Sequence, residues 1–219
     1  GVNPNAAGPP ILISGQSLTA GTVDGIVLQG TGCELRSVVV NRFSGNGVLL
    51  QGNSCRVTGC YLGTDRQGAT AAANGTGLRL SGAASCTIGS ATAGSGNVIG
   101  GNTTQGVLIT GGGGHRLLGN LIGVNRLGAN GDPLANGSFG VVIQNSSLNN
   151  QIGGVNAQIV HQIQQIHFVL NIGMSHRRRL QAIAQSLIRD QDRMIRFGWL
   201  LQKIPIVDQL VSSVSLIVR

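Results

Sequence analysis

Residues 61–80 read YLGTDRQGATAAANGTGLRL, and sixty residues later the chain returns to the same theme as LIGVNRLGANGDPLANGSFGVVI at 121–143. In each copy an apolar pair leads into glycine, then an acid or amide, then arginine: Gly63, Asp65 and Arg66 in the first, Gly123, Asn125 and Arg126 in the second. Gly-Ala, Ala-Asn-Gly (Asn74-Gly75 and Asn136-Gly137) and a glycine followed by aliphatics complete both. A self-match of this kind means that one structural unit has been stacked on another.

The end of the stretch is a shorter anchor, glycine followed by aliphatic, any residue, aliphatic. It recurs at Gly25-Ile26-Val27-Leu28, Gly47-Val48-Leu49-Leu50, Gly77-Leu78-Arg79-Leu80, Gly106-Val107-Leu108-Ile109 and Gly140-Val141-Val142-Ile143. The intervals between these glycines are 22, 30, 29 and 34 residues. Arg79 between two leucines shows the period of two that marks a strand with its first and third aliphatics facing inward. A second apolar run follows each anchor: LRSVVV, RVTGCYL, CTIG, RLLGNLIG and NQIGG, each read as one strand. A third run is visible at Asn97-Val98-Ile99-Gly100.

Two or three short strands per repeat, about five times over, are the pattern of a parallel β-helix. On the usual spacing of paired strands, five coils would rise about 24 Å. Cys33 and Cys55 lie eight residues after their anchor glycines, and Cys86 and His115 lie nine after theirs. That column reads as a stacked side-chain ladder. The sequence therefore divides into an N-terminal lead-in or cap at 1–24, which carries Pro9-Pro10, the repeats at 25–154, and a basic, partly helical tail at 155–219.

Composition agrees. Aromatics are 3% of the chain and apolar residues 41%, so a core has to be aliphatic. Charged residues are 10%, against about a quarter in ordinary domains, which argues against a disordered, highly charged chain. The net charge of +8 is uneven: 1–154 holds seven arginines and four acids, whereas 155–219 holds seven arginines, Lys203 and three acids. The basic character thus belongs mainly to the tail, which disfavours nucleic acid as the partner of the repeats. The tail has only two glycines, Gly173 and Gly198. Leu180, Ile183, Ala184, Leu187 and Ile188 follow helical spacing, while 159–172 and 204–218 fit strand or helix equally. A cap over the last coil, a separate basic segment, or sequence brought in by a shifted reading frame all fit this change of composition. No apolar run is long enough for a membrane helix, so membrane contact reduces to the tail's arginines at a surface.

The residues quoted above carry a resemblance. Leu62-Gly63-Thr64-Asp65, Gly68, Asn74-Gly75, Gly77-Leu78, Gly119-Asn120, Ile122-Gly123, Gly128, Asn136-Gly137 and Gly140-Val141 fit repeats of the form GNxIGTDxxGxxxxxNGxxGVxI. The chain between about 25 and 154 resembles right-handed parallel β-helix proteins of the pectin-lyase-like superfamily, and more closely bacterial secreted and cell-surface proteins with such repeats. The resemblance implies the fold and an extracellular or cell-surface setting. It carries no defined activity. The chain has no N-terminal signal peptide, which fits a fragment or a mature form.

Chemistry is sparse. Hydrolysis or elimination on acidic polysaccharides needs grouped carboxylates, and a lyase needs acids for calcium together with a basic residue. The repeats hold only Asp24, Glu34, Asp65 and Asp132. Asp65 with Arg66 is the one candidate catalytic pair, yet its counterpart is Asn125 with Arg126. The position therefore reads first as a turn whose side chain bonds local backbone N–H groups. Gly63, Asp65, Asn74, Gly75, Gly123, Asn125, Asn136 and Gly137 are accordingly read as repeat turns. The cysteines lack metal-ligand spacing and read as buried thiols, with an inter-coil disulfide as the alternative. The Asn-x-Ser/Thr matches at Asn74, Asn102, Asn136 and Asn145 fall at turns, where asparagine is expected on structural grounds. The expectation is a non-catalytic surface, adhesion or carbohydrate-binding scaffold without cofactor, probing polysaccharide or a cell-surface glycan as part of a larger protein. The alternative is a polysaccharide lyase or glycosidase on acidic glycans, with calcium if a lyase.

Overall fold

In the computed structural model, the described residues are 9–19, 21–90, 92, 95–128, 132–145 and 147–153, with the backbone of further strands at 162–163, 165–170 and 212–217. The helical reading of 180–201 lies outside them. The described chain is all-β, and its strands are stacked in three sheets, six, seven and five strands wide. Among the described residues, all pairings between these strands are parallel but one. This solenoid-like architecture is compatible with a parallel β-helix.

A lead-in strand, β1 (Ile11–Ser14), is followed by five coils of three strands each. They are β2 (Ile26–Leu28), β3 (Glu34–Arg36) and β4 (Val38–Asn41); β5 (Asn46–Leu50), β6 (Arg56–Thr58) and β7 (Tyr61–Leu62); β8 (Thr76–Ser81), β9 (Thr87–Gly89) and β10 (Val98–Ile99); β11 (Val107–Thr110), β12 (Arg116–Leu118) and β13 (Leu121–Ile122); and β14 (Val141–Gln144), β15 (Gln151–Ile152) and β16 (Gln162–Ile163). Sheet B takes the first strand of each coil, sheet C the second and sheet A the third, with β1 also in sheet A. The strand β17 (Gln165–Leu170) returns to sheet B beside β14, and β18 (Ser212–Ile217) pairs with it antiparallel. The segments at 159–172 and 204–218, open between strand and helix in the sequence, thus both contain strand.

The anchors start the coils. Ile26, Val48, Leu78, Val107 and Val141 are in register, each one residue after its glycine. Leu78 and Leu80 are fully buried, while Arg79 between them is half-buried on the outer side. The inner column of sheet C is Leu35, Val57, Ile88, Leu117 and Ile152, and that of sheet A is Val40, Leu62, Ile99 and Ile122. One aliphatic core runs along the stack. Each fully buried Leu, Ile or Val in it contributes about 1.5–3 kcal/mol relative to exposure.

One expectation needs correction. LRSVVV, RVTGCYL and RLLGNLIG are each two strands in different sheets. The chain turns at Ser37, Gly59 and Gly119, with φ of 55°, 62° and 60°. A single left-handed residue redirects an extended chain within one step, and glycine adopts it without a Cβ penalty. Apolar periodicity does not register so short a corner, which is why the runs read as continuous.

Candidate functional site

The long connections between sheets A and B, after β7 and after β13, carry the residues that the repeat first singles out. The two are built alike. Thr64 bridges Ala71 and Val124 bridges Pro133, both antiparallel, so each connection doubles back as a small tongue. The Asp65 N–H donates to the Thr70 carbonyl (3.0 Å) and the Asn125 N–H to the Asp132 carbonyl (3.2 Å). Gly68 and Gly128 close equivalent turns on the Asp65 and Asn125 carbonyls. The Asp65 carboxylate accepts from the Ala69 N–H (2.8 Å), the Thr70 N–H (3.3 Å) and the Thr70 hydroxyl (2.8 Å). Partial burial pushes its pKa up, but the bonds from Ala69 and Thr70 together outweigh this and hold it below the usual value. Arg66 is exposed, and Asn125 accepts from the Leu127 N–H (2.9 Å). The carboxylate is therefore occupied by its own loop, as the amide is in the other copy.

Between the tongues and sheet A lies a second apolar cluster of Val39, Tyr61, Val98 and Leu121, with Val124 packed against it. These four residues form one outward column in register. The tongues meet above it, where the Arg126 N–H donates to the Gly68 carbonyl (2.9 Å). Burial raises the Tyr61 pKa, opposed by Arg126 and reinforced by Asp65. Sequence reading missed this cluster, although a signal exists. Tyr61-Leu62, Val98-Ile99 and Leu121-Ile122 are adjacent apolar pairs, as expected where a strand is covered on both faces.

Three columns of side chains line the corners of the coils. Cys33, Cys55, Cys86 and His115 stand in the first, each just before its sheet C strand, and Asn150 continues it. The Cys55 thiol faces the Gly30 carbonyl (3.2 Å) and the Cys86 thiol the Gly52 carbonyl (3.4 Å). His115 Nδ1 accepts from the Cys86 N–H (3.2 Å), and the His115 N–H donates to Asn150 Oδ1 (3.0 Å). Burial lowers the imidazole pKa to about 4 against the raising effect of the Ala83 backbone, and Nε2 has no hydrogen-bond partner. All four cysteines are free, Cys33 half-buried and the others buried. Burial pushes the Cys60 pKa up to about 11 and raises that of Cys86. Such thiols carry little thiolate at neutral pH, so they are poor nucleophiles or metal ligands.

The second column is Cys60, Asn97 and Asn120, and the third Asn74, Asn102 and Asn136. Asn97 Oδ1 accepts from the Cys60 N–H (2.9 Å) while its Nδ2 donates to the Val57 carbonyl (2.8 Å). Asn120 does the same for the Asn97 N–H (3.1 Å) and the Ile88 carbonyl (2.9 Å). Asn102 accepts from the Asn74 N–H (3.2 Å) and donates to the Leu62 carbonyl (3.1 Å). Each amide thus satisfies a donor and an acceptor in the coil before it. Asn74-Gly75 and Asn136-Gly137 are corners of this kind, and Gly63 and Gly123 open the tongues.

The remaining acids also stand apart. Asp24 Oδ1 accepts from the Asn46 N–H (2.6 Å) and amide (2.8 Å), Glu34 pairs with Arg36, and Asp132 is exposed. No group of three or more His, Cys, Asp or Glu side chains suited to a metal ion occurs among the described residues. Comparisons with family models, curated proteins and solved structures return no match to this chain.

Proposed function

We propose that the chain is a non-catalytic, extracytoplasmic scaffold, a right-handed parallel β-helix of the pectin-lyase-like kind that presents a rigid carbohydrate-binding or adhesive surface within a larger protein. One observation carries this reading: Asp65, the best catalytic handle in the repeats, is held by Ala69 and Thr70, and Asn125 fills its place in the other tongue. A general acid or nucleophile would need a carboxylate free to face substrate. The repeat motif supports the family and setting.

The test is a binding screen against soluble glycans and cell-wall material, run beside depolymerisation assays with and without calcium. Saturable binding with unchanged polymer length is the expected result. Reproducible chain cleavage, abolished in Asp65→Ala, would overturn the proposal in favour of the enzyme reading.

A further inference from the structure

Exposed apolar side chains gather at one end of the stack. Of the five large hydrophobic residues exposed among the described residues, four lie between 11 and 27: Ile11 (56%), Leu12 (39%), Leu18 (53%) and Val27 (44%). The fifth, Leu127, is on a tongue. The core thins at the same end. Ile13, Ile26, Leu28, Cys33 and Leu35 are only partly buried. Val40, Val48, Leu50, Cys55 and Val57, their neighbours one coil further on, are fully buried. Each coil covers the core face of the coil beside it, and among the described residues the first coil is covered on one side only.

At this end β1, β2 and β3 are the edge strands of sheets A, B and C. β1 and β2 carry no charged side chain, one of the usual guards against edge pairing. The far end of sheet B is finished differently, by β18 running antiparallel to β17. The chain climbs one strand spacing, about 4.8 Å, in visiting the three sheets, so β1, β2 and β3 stand on successive thirds of that step. A two-fold axis through the middle of β2, across the stack, sets β2 against its own copy and β1 against β3 of the other copy. The lowest strand then meets the highest and the middle meets the middle, so all three gaps equal one strand spacing. Centring the axis on β1 opens the other two walls by a whole strand, and centring it on β3 makes strands collide.

We infer that this end binds a second copy of the chain head to head, the edges of β1, β2 and β3 pairing antiparallel across a two-fold axis at Val27. Side chains on one face of the sheet must meet those on the same face, so the axis falls on a residue, and Val27 is the middle one of β2. Val27 then meets Val27 of the second copy, and Ile26 meets Leu28. The charges allow it. Between 9 and 36 the charged residues are Asp24, Glu34 and Arg36. Asp24 is bonded to Asn46 and Glu34 is paired with Arg36, both within one copy. Glu34 and Arg36, on β3, face the uncharged β1 of the other copy, so no like charges are opposed. A single foreign strand completes one edge, whereas a second copy completes three and closes the core as well. The contact is self-complementary, stops at two copies, and does not depend on what the scaffold binds.

The experiment weighs the full chain by sedimentation from about 1 to 100 µM, beside Val27→Glu, Val27→Arg and, as a control on the tongue, Leu127→Glu. The inference expects a mass that rises to two chains and stops there. Val27→Glu and Val27→Arg should each weaken association about a hundredfold or more, because like charges then face each other across the axis. An equal mixture of the two should recover it, and Leu127→Glu should behave as the parent does. Circular dichroism of each variant separates loss of association from loss of fold. Amide exchange of the parent gives a readout without any substitution: 11–14, 26–28 and 34–36 should gain protection as concentration rises, while 64–71 should not. A parent that stays monomeric over this range overturns the inference. So does a mass that climbs past two chains, the mark of open head-to-tail stacking, or a dimer left intact by Val27→Glu, the mark of another surface. Folded Val27→Glu and Val27→Arg that fail to associate when mixed overturn it too.

Discussion

Two corners of the same coils meet the same requirement with different chemistry. Where sheet A leads into sheet B, Asn74, Asn102 and Asn136 stack as amides, each accepting an N–H and donating to a carbonyl of the preceding coil. Where sheet B leads into sheet C, the column runs Cys33, Cys55, Cys86, His115 and Asn150, from small apolar groups to polar ones. A thiol fills the corner and offers a weak donor, while an amide fills it and satisfies two strong backbone groups. The amide corners are therefore the ones whose loss leaves buried backbone unpaired. The thiol and imidazole corner is sensitive to volume and to protonation.

The comparison is broken most directly by Asn102→Leu. The leucine has nearly the same size but leaves the Asn74 N–H and the Leu62 carbonyl without a partner in a buried corner. Each such group costs roughly 1–3 kcal/mol, so destabilisation of about 4 kcal/mol is expected in urea denaturation. Cys86→Ala, in the other column, should cost distinctly less. Equal losses in the two would show that the corners differ in composition and not in function.

His115 sharpens the second half of the contrast. Its folded pKa of about 4 lies below the ordinary 6.5, so the unfolded chain binds the proton more readily. Its contribution is full above pH 6.5, falls as the pH drops towards 4, and is lost below that. The span corresponds to something on the order of 3 kcal/mol. Stability measured from pH 7 to pH 4 should fall less steeply in His115→Asn, which places in the fourth coil the amide that Asn150 supplies in the fifth. Parallel pH profiles for the two proteins would remove the imidazole from the account.

The anchor glycines belong to the amide corner. A Cβ on Gly77 would lie 2.7 Å from the Gly106 carbonyl oxygen, 2.7 Å from Ile99 Cγ2 and 2.8 Å from Asn102 Nδ2. Gly77→Ala should therefore destabilise by about 1–3 kcal/mol through overpacking, seen as a lower denaturation midpoint. At Gly82 nothing lies within 4 Å of the added carbon, but φ is +70°, so alanine there reports backbone strain alone. A smaller loss at Gly82 than at Gly77 would separate crowding from conformation.

These contrasts also explain what could be read in advance. The coils were legible because Gly25, Gly47, Gly77 and Gly106 must each make room for the carbonyl oxygen of the next anchor glycine, and the last three also for the asparagine of the corner. That steric demand repeats at every level and so appears as a spaced motif. The Cys33, Cys55, Cys86 and His115 column was legible from spacing alone, but its continuation to Asn150 was not, since the interval lengthens as the intervening loops do. The corner at Cys60 and Asn120 stayed hidden for the same reason that the strands were run together. One left-handed residue, Gly59 or Gly119, separates sheet C from sheet A and leaves no break in hydrophobicity. Likewise, Asp65 beside Arg66 reads as a charged pair in one dimension, whereas the carboxylate turns back to Ala69 and Thr70.

That last point yields the smallest effect and a direct comparison of the tongues. Asp65→Asn installs the residue that position 125 already holds. The amide oxygen can accept from Ala69 and Thr70, and the amide nitrogen can donate to the Thr70 hydroxyl in place of the bond now received from it. The change at neutral pH should stay within about 0.5 kcal/mol, as for other substitutions that keep the local bonding. Asp65→Ala, which removes all three bonds, should cost about 1 kcal/mol, the usual price of losing a turn or cap side chain. The carboxyl's folded pKa is below its ordinary 3.8, so its contribution is present above that pH and is lost as the pH falls through the folded value. Asp65→Asn should abolish that acid limb of the stability profile while leaving neutral stability in place. A large loss at neutral pH would mean that the negative charge itself holds the tongue, and Asp65 and Asn125 would then be alike in sequence position only.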